Sequence, residues 1–491
     1  MLYGLCILFP MVGGILISIL LNDDKLPADR KAGIRRKRNR CYAALMLLTD
    51  LICALSMASR PGGVSFPIVG KAGIAFLPDT FGMVMMTLIL TVYTLILFYS
   101  FSYMESEERE EIFFGFYFSS LGALIAVCLS GNLITLYAFF ELATLSSMPL
   151  VLHEMDAKSV SAGKKYLFYS IGGALMGLAC ITMIYYLCGE QVLFTYGGFM
   201  SPEMIAGHEP VFFALVLLGI VGFGTKAGIW PMHGWLPTAH PIAPAPASAL
   251  MSGIIAKAGV IALVRMIYFA IGPSLLRDTW VQRTWTVLCM ITVLLGSSMA
   301  FMEKELKKRL AYSTVSQISY ILLGLSLLSM TGLWGGLLQL FAHACAKGTL
   351  FLCAGMIIKR TGLRQVKDLS GIGKKLPLTM WLFFFAALSL VGIWPMGGFL
   401  AKWTLAQGTL ESTKGFFAIA PVVVLLISAM LTAGYLLPVV IGGFFPGKEA
   451  KDQETERIKE PLLMLIPMAI LCAGSLITGL FGYDILALLH F

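Results

Sequence analysis

The sequence predicts an all-α membrane protein of about fourteen transmembrane helices, with two inverted five-helix repeats and with the seventh and twelfth helices broken. Three observations support this prediction: the apolar composition, the distribution of basic residues among the loops, and a phrase that occurs twice. Of the 491 residues, 58% are hydrophobic and 13% are charged. A soluble domain cannot bury that much apolar surface.

Apolar blocks of roughly 20 or more residues account for the predicted helices, since a helix of this length spans a bilayer. The sequence lacks the alternating strands that build membrane barrels, so the predicted spans are all helical. The twelfth block is too long for one straight span and must bend or unwind. The predicted spans cover residues 2–21, 41–59, 79–103, 112–130, 132–152, 165–188, 211–236, 245–271, 284–302, 310–329, 332–358, 376–408, 416–442 and 461–489.

The basic residues are distributed unequally between the two kinds of loop. Of the 36 Lys and Arg residues, 26 lie in loops after odd-numbered helices and five lie in loops after even-numbered helices. The positive-inside rule therefore predicts that the odd loops face the cytoplasm and that both termini lie on the outer side of the inner membrane. Orientation thus accounts for most of the formal net charge of +9, which leaves little support for a nucleic-acid partner.

The motifs predict no cofactor and no metal site. The ten cysteines are scattered and form no C-x-x-C pair, which argues against an iron–sulfur or zinc site. The sequence has no dinucleotide fingerprint and no haem motif, and GIGKK at 371–375 lacks the rest of a phosphate-binding loop. We therefore expect no redox chemistry from this chain itself.

The repeated phrase predicts the internal organisation. GIWPMHGWLP begins at residue 228 and GIWPMGGFLA begins 164 residues later, five predicted helices further on. Because five is an odd number, a tandem copy enters the membrane upside down, and such inverted repeats place ion sites at broken helices. Proline and glycine in each phrase favour a break. The predicted units are residues 1–111 (helices one to three), 112–271 (first repeat), 284–442 (second repeat) and 461–491 (helix fourteen).

Several ionisable residues fall inside the predicted spans, where each charge costs roughly 2.5–3.5 kcal/mol. A lysine near a span end is usually a snorkelling anchor, and a lone glutamate or histidine is often a structural contact. Here the lysines lie mid-span or beside the two breaks, so we predict a proton relay instead. The candidate relay residues are Glu141, Lys226, Lys257, His343, Lys347 and Lys402.

Proton transfer suits these residue types. Burial makes a lysine release its proton more readily, whereas a carboxylate within about 4–6 Å helps it to keep the proton. A lysine whose distance from Glu141 can change therefore acts as a switch, and histidine can relay protons near neutral pH. The role of Asp50 stays open between a structural contact and an access path. The roles of His233 and His240 stay open between proton entry and ordinary loop histidines.

The chain also resembles the antiporter-like membrane subunits of respiratory complex I, of Mrp-type sodium/proton antiporters and of energy-converting membrane-bound hydrogenases. The resemblance runs from about residue 75 to 440, in the family's order, and rests on five segments: FELATLSS, GFGTKAGIWPMHGWLPTAHPIAPAPASALMSGIIAKAGV, LKKRLAYSTVSQISY, FAHACAKGTLF and GGFLAKW. It implies fourteen helices, with helices four to eight and nine to thirteen as the inverted repeats. It also implies a lipid environment and sister membrane subunits as partners.

The resemblance implies specific roles as well. Glu141 and Lys226 match the family's switching pair, while Lys257, the His343/Lys347 face and Lys402 match the positions that continue the relay. Family members vary at the positions of Lys257 and Lys402. The sequence ends soon after the fourteenth predicted helix, without the long lateral helix of the largest complex I subunit. It is thus more similar to the middle-sized subunits, to the Mrp D-type subunit or to a hydrogenase membrane subunit.

Three functional hypotheses follow. The first is a proton-translocating subunit of a larger complex, with sodium/proton exchange as a variant. The second is a stand-alone secondary solute transporter, although the ionisable residues form a series and not one compact polar pocket. The third is a structural membrane subunit that conducts nothing.

Overall fold

The chain folds into a bundle of α-helices, which confirms the predicted class of all-α membrane protein. In the part of the chain that the structure describes, twelve helices are long and apolar enough to cross a membrane. Five basic residues of the loop count lie outside that part: Lys25, Arg60, Lys71, Lys448 and Lys451. The structure is a computed structural model that describes residues 2–22, 28–59, 62–69, 72–189, 192–446 and 456–489.

The elements follow one another along the chain with short connections. The first group is α1 (Leu2–Leu20), α2 (Ala28–Ser59), β1 (Val64–Val69), β2 (Ala72–Phe76) and α3 (Thr80–Tyr103). The second is α4 (Glu110–Leu129), α5 (Leu133–Val151), α6 (Ala157–Cys188), α7 (Pro202–Ile205), α8 (Glu209–Ala227), α9 (Leu236–Ile242), α10 (Ala245–Leu250), α11 (Lys257–Val264) and α12 (Pro273–Leu276). The third is α13 (Trp280–Met302), α14 (Leu306–Ser326), α15 (Met330–Thr361), α16 (Ile372–Lys375), α17 (Pro377–Val391), α18 (Gly397–Ser412), α19 (Phe416–Phe444) and α20 (Leu462–Ala487).

The number of membrane spans stays a prediction beyond these twelve. The predicted span 310–329 corresponds to α14, whose first turns are basic and polar. The predicted span 376–408 corresponds to α17 and α18, which are separate helices of 15 and 16 residues. Fourteen spans are reached only if both of these regions also cross the membrane.

A glycine ends the helix at each copy of the repeated phrase. α8 ends before Gly228 and α17 ends before Gly392, with φ of 84° and 93°, in the left-handed region that glycine adopts most easily. In each copy the Trp–Pro peptide bond that follows is cis. The two phrases therefore take closely similar backbone paths, in agreement with their similar sequences.

A β-hairpin occupies part of the predicted loop after the second helix. Strands β1 and β2 pair antiparallel, with Val64 opposite Phe76. Two side chains at the start of α5 anchor the hairpin: Asn132 Nδ2 donates to the Gly73 carbonyl over 3.0 Å, and Thr135 Oγ1 accepts from the Ala75 amide over 2.7 Å. Sequence reasoning missed this hairpin because its short strands do not stand out from a polar connection.

The centre of the bundle is the segment Ala245–Ile271, which is buried throughout the window that defines it as a candidate span. Two π-helical stretches, Met251–Ile255 and Arg265–Ile271, flank α11 within this segment. A π-helical stretch leaves the regular hydrogen-bond ladder and often occurs at a functional site. Lys257, the first residue of α11, lies directly beyond the first stretch.

Candidate functional site

Lys226 lies in the last turn of α8 and is fully buried, with 1% of its surface exposed. Its Nζ donates a hydrogen bond of 2.9 Å to Thr144 Oγ1 on α5 and a second one to the hydroxyl of Tyr166 on α6. The Tyr166 hydroxyl also lies 2.7 Å from Ser147 Oγ. The amine is therefore held by hydroxyl groups from two other helices.

Glu141 is close to this group but does not form an ion pair with it. The residue is half-buried on α5, three positions before Thr144 and therefore about one helical turn away. Its Oε1 is shielded from solvent and has no hydrogen-bond partner among the described residues. Glu141 lies within electrostatic reach of Lys226, yet no ion pair joins them in the described part of the chain.

Local structure fixes the helices that carry this group. Beyond the end of α8, Trp235 packs on the Tyr166 ring at 4.9 Å, and its Nε1 donates to the Thr225 carbonyl over 2.9 Å. α6 begins after Asp156, whose carboxylate accepts a 2.7 Å hydrogen bond from the Ser159 amide. Hydrogen bonding to Ser159 lowers the pKa of Asp156 below its usual value, as expected for a carboxylate that caps a helix.

Lys257 and His343 are in direct contact. Lys257 Nζ lies 2.7 Å from His343 Nδ1 and donates to the Ser252 carbonyl over 2.5 Å. When the lysine is protonated, His343 Nδ1 accepts and the ring proton lies on Nε2, which has no hydrogen-bond partner among the described residues. Sequence reasoning did not predict this contact, because 86 residues separate its partners.

Lys347 lies four residues after His343 on α15, so both occupy one face of the helix. The lysine is completely buried and its Nζ donates to the Leu310 carbonyl on α14 over 2.8 Å. Its amine also lies 5.9 Å from the centre of the Phe351 ring. A neutral carbonyl and an aromatic face are thus the contacts recorded for this amine.

Sequence reasoning left His240 open, and the structure places it in the core. His240 belongs to α9, is completely buried and stacks on Phe351 at 4.9 Å. Neither of its ring nitrogens has a hydrogen-bond partner among the described residues. It lies within electrostatic reach of Lys257, Lys307 and Lys347. His240 is therefore not a loop histidine, whereas His233 is half-buried beside the first break.

Lys307 is a buried lysine that sequence reasoning counted as a loop charge. It lies in the first turn of α14 and donates to the carbonyls of Pro241 and Ala243, over 3.1 and 2.5 Å. The proline-rich segment HPIAPAP could have signalled such a donor. Prolines lack the amide hydrogen that would bond to carbonyls in a regular helix, so some carbonyls need another partner.

A polar cavity of about 280 Å³ lies next to Lys307. Its charged lining comes from several loops and helix ends, and one ion pair within it joins Lys359 Nζ to Glu107 Oε1 over 2.5 Å. All of these basic residues belong to loops that the charge distribution assigns to the cytoplasm. The charged lining residues are Glu107, Glu154, Lys307, Lys359 and Arg364.

Lys402 lies apart from the other lysines. It belongs to α18, and its Nζ donates to the carbonyls of Leu390 and Val391 at the end of α17, over 2.5 and 2.7 Å. The amine lies 5.3 Å from the Tyr320 ring. One side of Lys402 lines an apolar groove of about 480 Å³ together with Trp403 and other apolar residues.

The six predicted relay residues therefore fall into three groups. Glu141 and Lys226 form the first group, with Thr144 and Tyr166 between them and around them. Lys257, His343 and Lys347 form the second group, which the sequence missed in two members, His240 and Lys307. Lys402 forms the third group alone. Buried amines with neutral partners can exchange protons, because the local environment stabilises a charge on them only weakly.

Two family models match the chain. One is described as "NADH:quinone oxidoreductase/Mrp antiporter, TM" and matches residues 130–431. The other is described as "NADH-Ubiquinone oxidoreductase (complex I), chain 5 N-terminus" and matches residues 69–114. The first model covers more than half of the chain and contains all six predicted relay residues.

Individual relatives agree with these matches. The chain is 32% identical to NADH-quinone oxidoreductase subunit N of Desulforudis audaxviator, over 76% of this chain and 75% of the relative. It is 31% identical to hydrogenase-4 component B of Escherichia coli, over 78% of this chain and 58% of the relative. It is 26% identical to the D-type Na⁺/H⁺ antiporter subunit of Alkalihalophilus pseudofirmus, over 81% of this chain and 79% of the relative.

Solved structures share the fold. A chain of the archaeal membrane-bound sulfane sulfur reductase superposes with a TM-score of 0.81 at 20% identity, covering 99% of this chain and 96% of that one. A chain of the Mrp complex from Dietzia superposes with a TM-score of 0.80 at 21% identity, covering 100% of this chain and 51% of that one. The protein therefore belongs to the family of membrane subunits that NADH:quinone oxidoreductases and Mrp antiporters share.

Proposed function

We propose that this chain is a proton-translocating subunit of a larger membrane complex and that buried glutamate, lysine and histidine side chains carry the protons. The environment of Lys226 carries the proposal. Its amine is fully buried and bonded to two hydroxyl groups, while an unpartnered carboxylate oxygen of Glu141 lies about one helical turn away. Movement of the amine between Thr144 and Glu141 changes how firmly it holds a proton.

The remaining residues extend this switch into a relay. Lys257 and His343 are hydrogen-bonded, Lys347 follows one turn later on α15, and Lys402 forms the far end. Water joins the groups that do not touch. Protons enter from the cytoplasm through the cavity beside Lys307 and pass His240, whose ring nitrogens are free to bond water among the described residues.

The organisation of the chain fits this role. Residues 112–271 and 284–442 form two inverted repeats, residues 1–111 precede them and residues 461–491 follow them. The chain is a multi-pass protein of the inner membrane, with both termini on the outer side, as the distribution of basic residues supports. Its partners are sister membrane subunits, because several relatives are named as subunits of larger enzymes or antiporters.

The test replaces Lys226 with alanine in membrane vesicles that contain the whole complex. The vesicles are energised in turn with NADH, with hydrogen and with a sodium gradient, and a pH-sensitive dye reports proton movement under the condition that works for the wild type. Lys226→Ala should abolish proton movement while native gels show an assembled complex. Lys164→Ala, an exposed lysine, is the matched control and should behave like the wild type. Normal proton movement in Lys226→Ala would identify a structural subunit.

Sodium/proton exchange is the second candidate, favoured by relatives that are named Na⁺/H⁺ antiporter subunits. The same vesicles distinguish the two candidates. Exchange predicts that a sodium gradient alone drives proton movement and that Lys226→Ala stops it. Proton translocation coupled to a redox reaction predicts no response to sodium and a response to one of the electron donors.

A further inference from the structure

Asp50 is a membrane-embedded carboxyl group that the relay does not use. It lies in the apolar part of α2, half-buried, between Leu47 and Leu51, which are 57% and 53% exposed. This face of α2 is on the periphery of the bundle, in the seam between α2 and α3. An ionisable residue at such a depth is rare and usually has a function.

The hydrogen bonds of Asp50 leave most of its carboxylate capacity unused. Oδ2 accepts one hydrogen bond of 3.0 Å from Thr94 Oγ1 on α3. Oδ1 is shielded from solvent and has no hydrogen-bond partner among the described residues. An ionised carboxylate offers about four acceptor positions, so one hydroxyl donor satisfies it poorly.

Asp79 shows how the same chain accommodates an ionised aspartate. Its two oxygens accept from both terminal nitrogens of Arg265, and Oδ1 also accepts the Gly82 amide over 2.8 Å as the N-cap of α3. A bidentate arginine and a helix N-terminus are strong partners for a negative charge. Asp50 has no comparable partner, since no ion pair of Asp50 occurs in the described part of the chain.

The other titratable groups that face Asp50 do not stabilise a negative charge either. Tyr117 on α4 and Cys53 on α2 lie within its electrostatic reach. Both are weak acids, and the Tyr117 hydroxyl already donates to the Tyr93 carbonyl. An unpaired carboxylate in an apolar environment is unfavourable, and such a group takes up a proton instead.

A metal cation would not fit better. Hard cations are usually bound by about six oxygen ligands, whereas Asp50 and Thr94 together supply three side-chain oxygens. A proton needs only one of the carboxyl oxygens and leaves the other to accept from Thr94. The ligand that the site suits is therefore the proton.

We propose that Asp50 and Thr94 form a second proton-binding site, separate from the Glu141–Lys402 relay, and that the Asp50 carboxyl group is protonated there. The site lies on the flank that α2 and α3 present to the lipid or to a neighbouring subunit. It gives the protein a place where a proton is held outside its central chain of lysines.

Infrared difference spectroscopy of the purified complex at neutral pH tests this proposal directly. A protonated carboxyl group has a C=O band that an ionised carboxylate lacks. The difference between wild type and Asp50→Asn should show the loss of one such band. Asp79→Asn is the matched control and should show no loss, because its carboxylate is ionised by pairing with Arg265. An Asp50→Asn spectrum that loses only ionised carboxylate bands would overturn the proposal.

A second variant keeps the test decisive if Asp50→Asn does not fold. Thr94→Val removes the one hydrogen bond to Asp50 and keeps the shape of the side chain. The protonated carboxyl band should then shift to higher frequency, since its C=O group loses a donor, and the total band area should stay the same. An unchanged band position would contradict the assignment to Asp50. Failure of the Lys226 test would not affect either result, because the two sites share no residue.

Discussion

The two breaks follow the same phrase but place their lysines differently. At the first break, Lys226 belongs to the helix that ends there, and its amine bonds to the hydroxyls of Thr144 and Tyr166. At the second break, the residue 164 positions after Lys226 is Leu390. The nearby amine there is Lys402, from the helix that begins after the break, and it reaches back to the carbonyls of Leu390 and Val391.

This difference gives the two amines different electrostatic environments. The last carbonyls of a helix carry a partial negative charge and favour a cation, so α17 holds Lys402 in its charged form and in one position. The hydroxyls around Lys226 donate and accept equally well, and Glu141 is near but not bonded. The same backbone break therefore supports a mobile switch in one repeat and a fixed cation in the other.

The largest expected effect is that of Lys226→Met. Removal of the amine should reduce proton movement in energised vesicles by about 100-fold, in the range expected when a proton-transferring group is lost. Lys164→Met is the control and should retain wild-type rates. If Lys402→Met reduced proton movement more than Lys226→Met did, the assignment of switch and fixed cation would be reversed.

Replacement of Glu141 should have the next largest effect. Glu141→Gln keeps the size of the side chain but removes the charge that attracts the Lys226 amine, and it should slow proton movement about tenfold, equivalent to about 1.4 kcal/mol. Because the two residues act as one switch, Glu141→Gln combined with Lys226→Met should be no slower than Lys226→Met alone. Fully additive losses in the vesicle assay would show that the residues act separately.

Lys402→Met should reduce stability more clearly than proton movement. Two carbonyls at the end of α17 would lose their donor, which should lower the free energy of unfolding by about 1–3 kcal/mol. Thermal unfolding of the purified complex measures this loss, and Lys414→Met, an exposed lysine, serves as the control. Lys402→Arg should recover stability because it keeps a charged donor. An unchanged unfolding temperature in Lys402→Met would argue against the capping role.

Thr144→Val should have the smallest effect. It removes one neutral hydrogen bond to Lys226, worth about 1 kcal/mol, and should change the rate of proton movement about fivefold by shifting the amine toward Glu141. Thr182→Val is a suitable control, because the Thr182 hydroxyl is exposed and bonds to the Leu178 carbonyl of its own helix. Equal rates for both variants would mean that the Thr144 contact does not position Lys226.

Much of the fold was predictable because the bilayer imposes simple rules on a sequence. Apolar blocks of about 20 residues predict helices, and Pro and Gly in the repeated phrase predict helix ends. The structure ends α8 and α17 at these phrases. The β-hairpin 64–76 and the π-helical stretches beside Lys257 were missed, because neither has a strong signature in hydrophobic periodicity.

The site was predictable by residue but not by contact. Charged residues inside apolar spans stand out, so Glu141, Lys226 and Lys257 could be selected from the sequence. Their partners could not be selected, since they come from distant helices, as for Lys257 and His343, or are backbone carbonyls, as for Lys402. Lys307 was assigned to a loop because it stands in a basic run, where topology and function produce the same pattern.

The most direct test of the switch compares Lys226→Arg with Lys226→Met in the same vesicles. Arginine is always charged and methionine is never charged, so a residue that must alternate between the two states is replaced by neither. We predict that both variants assemble and that both lose proton movement. Substantial proton movement in either variant would contradict the account, because the position would then need only a fixed charge or only an apolar side chain.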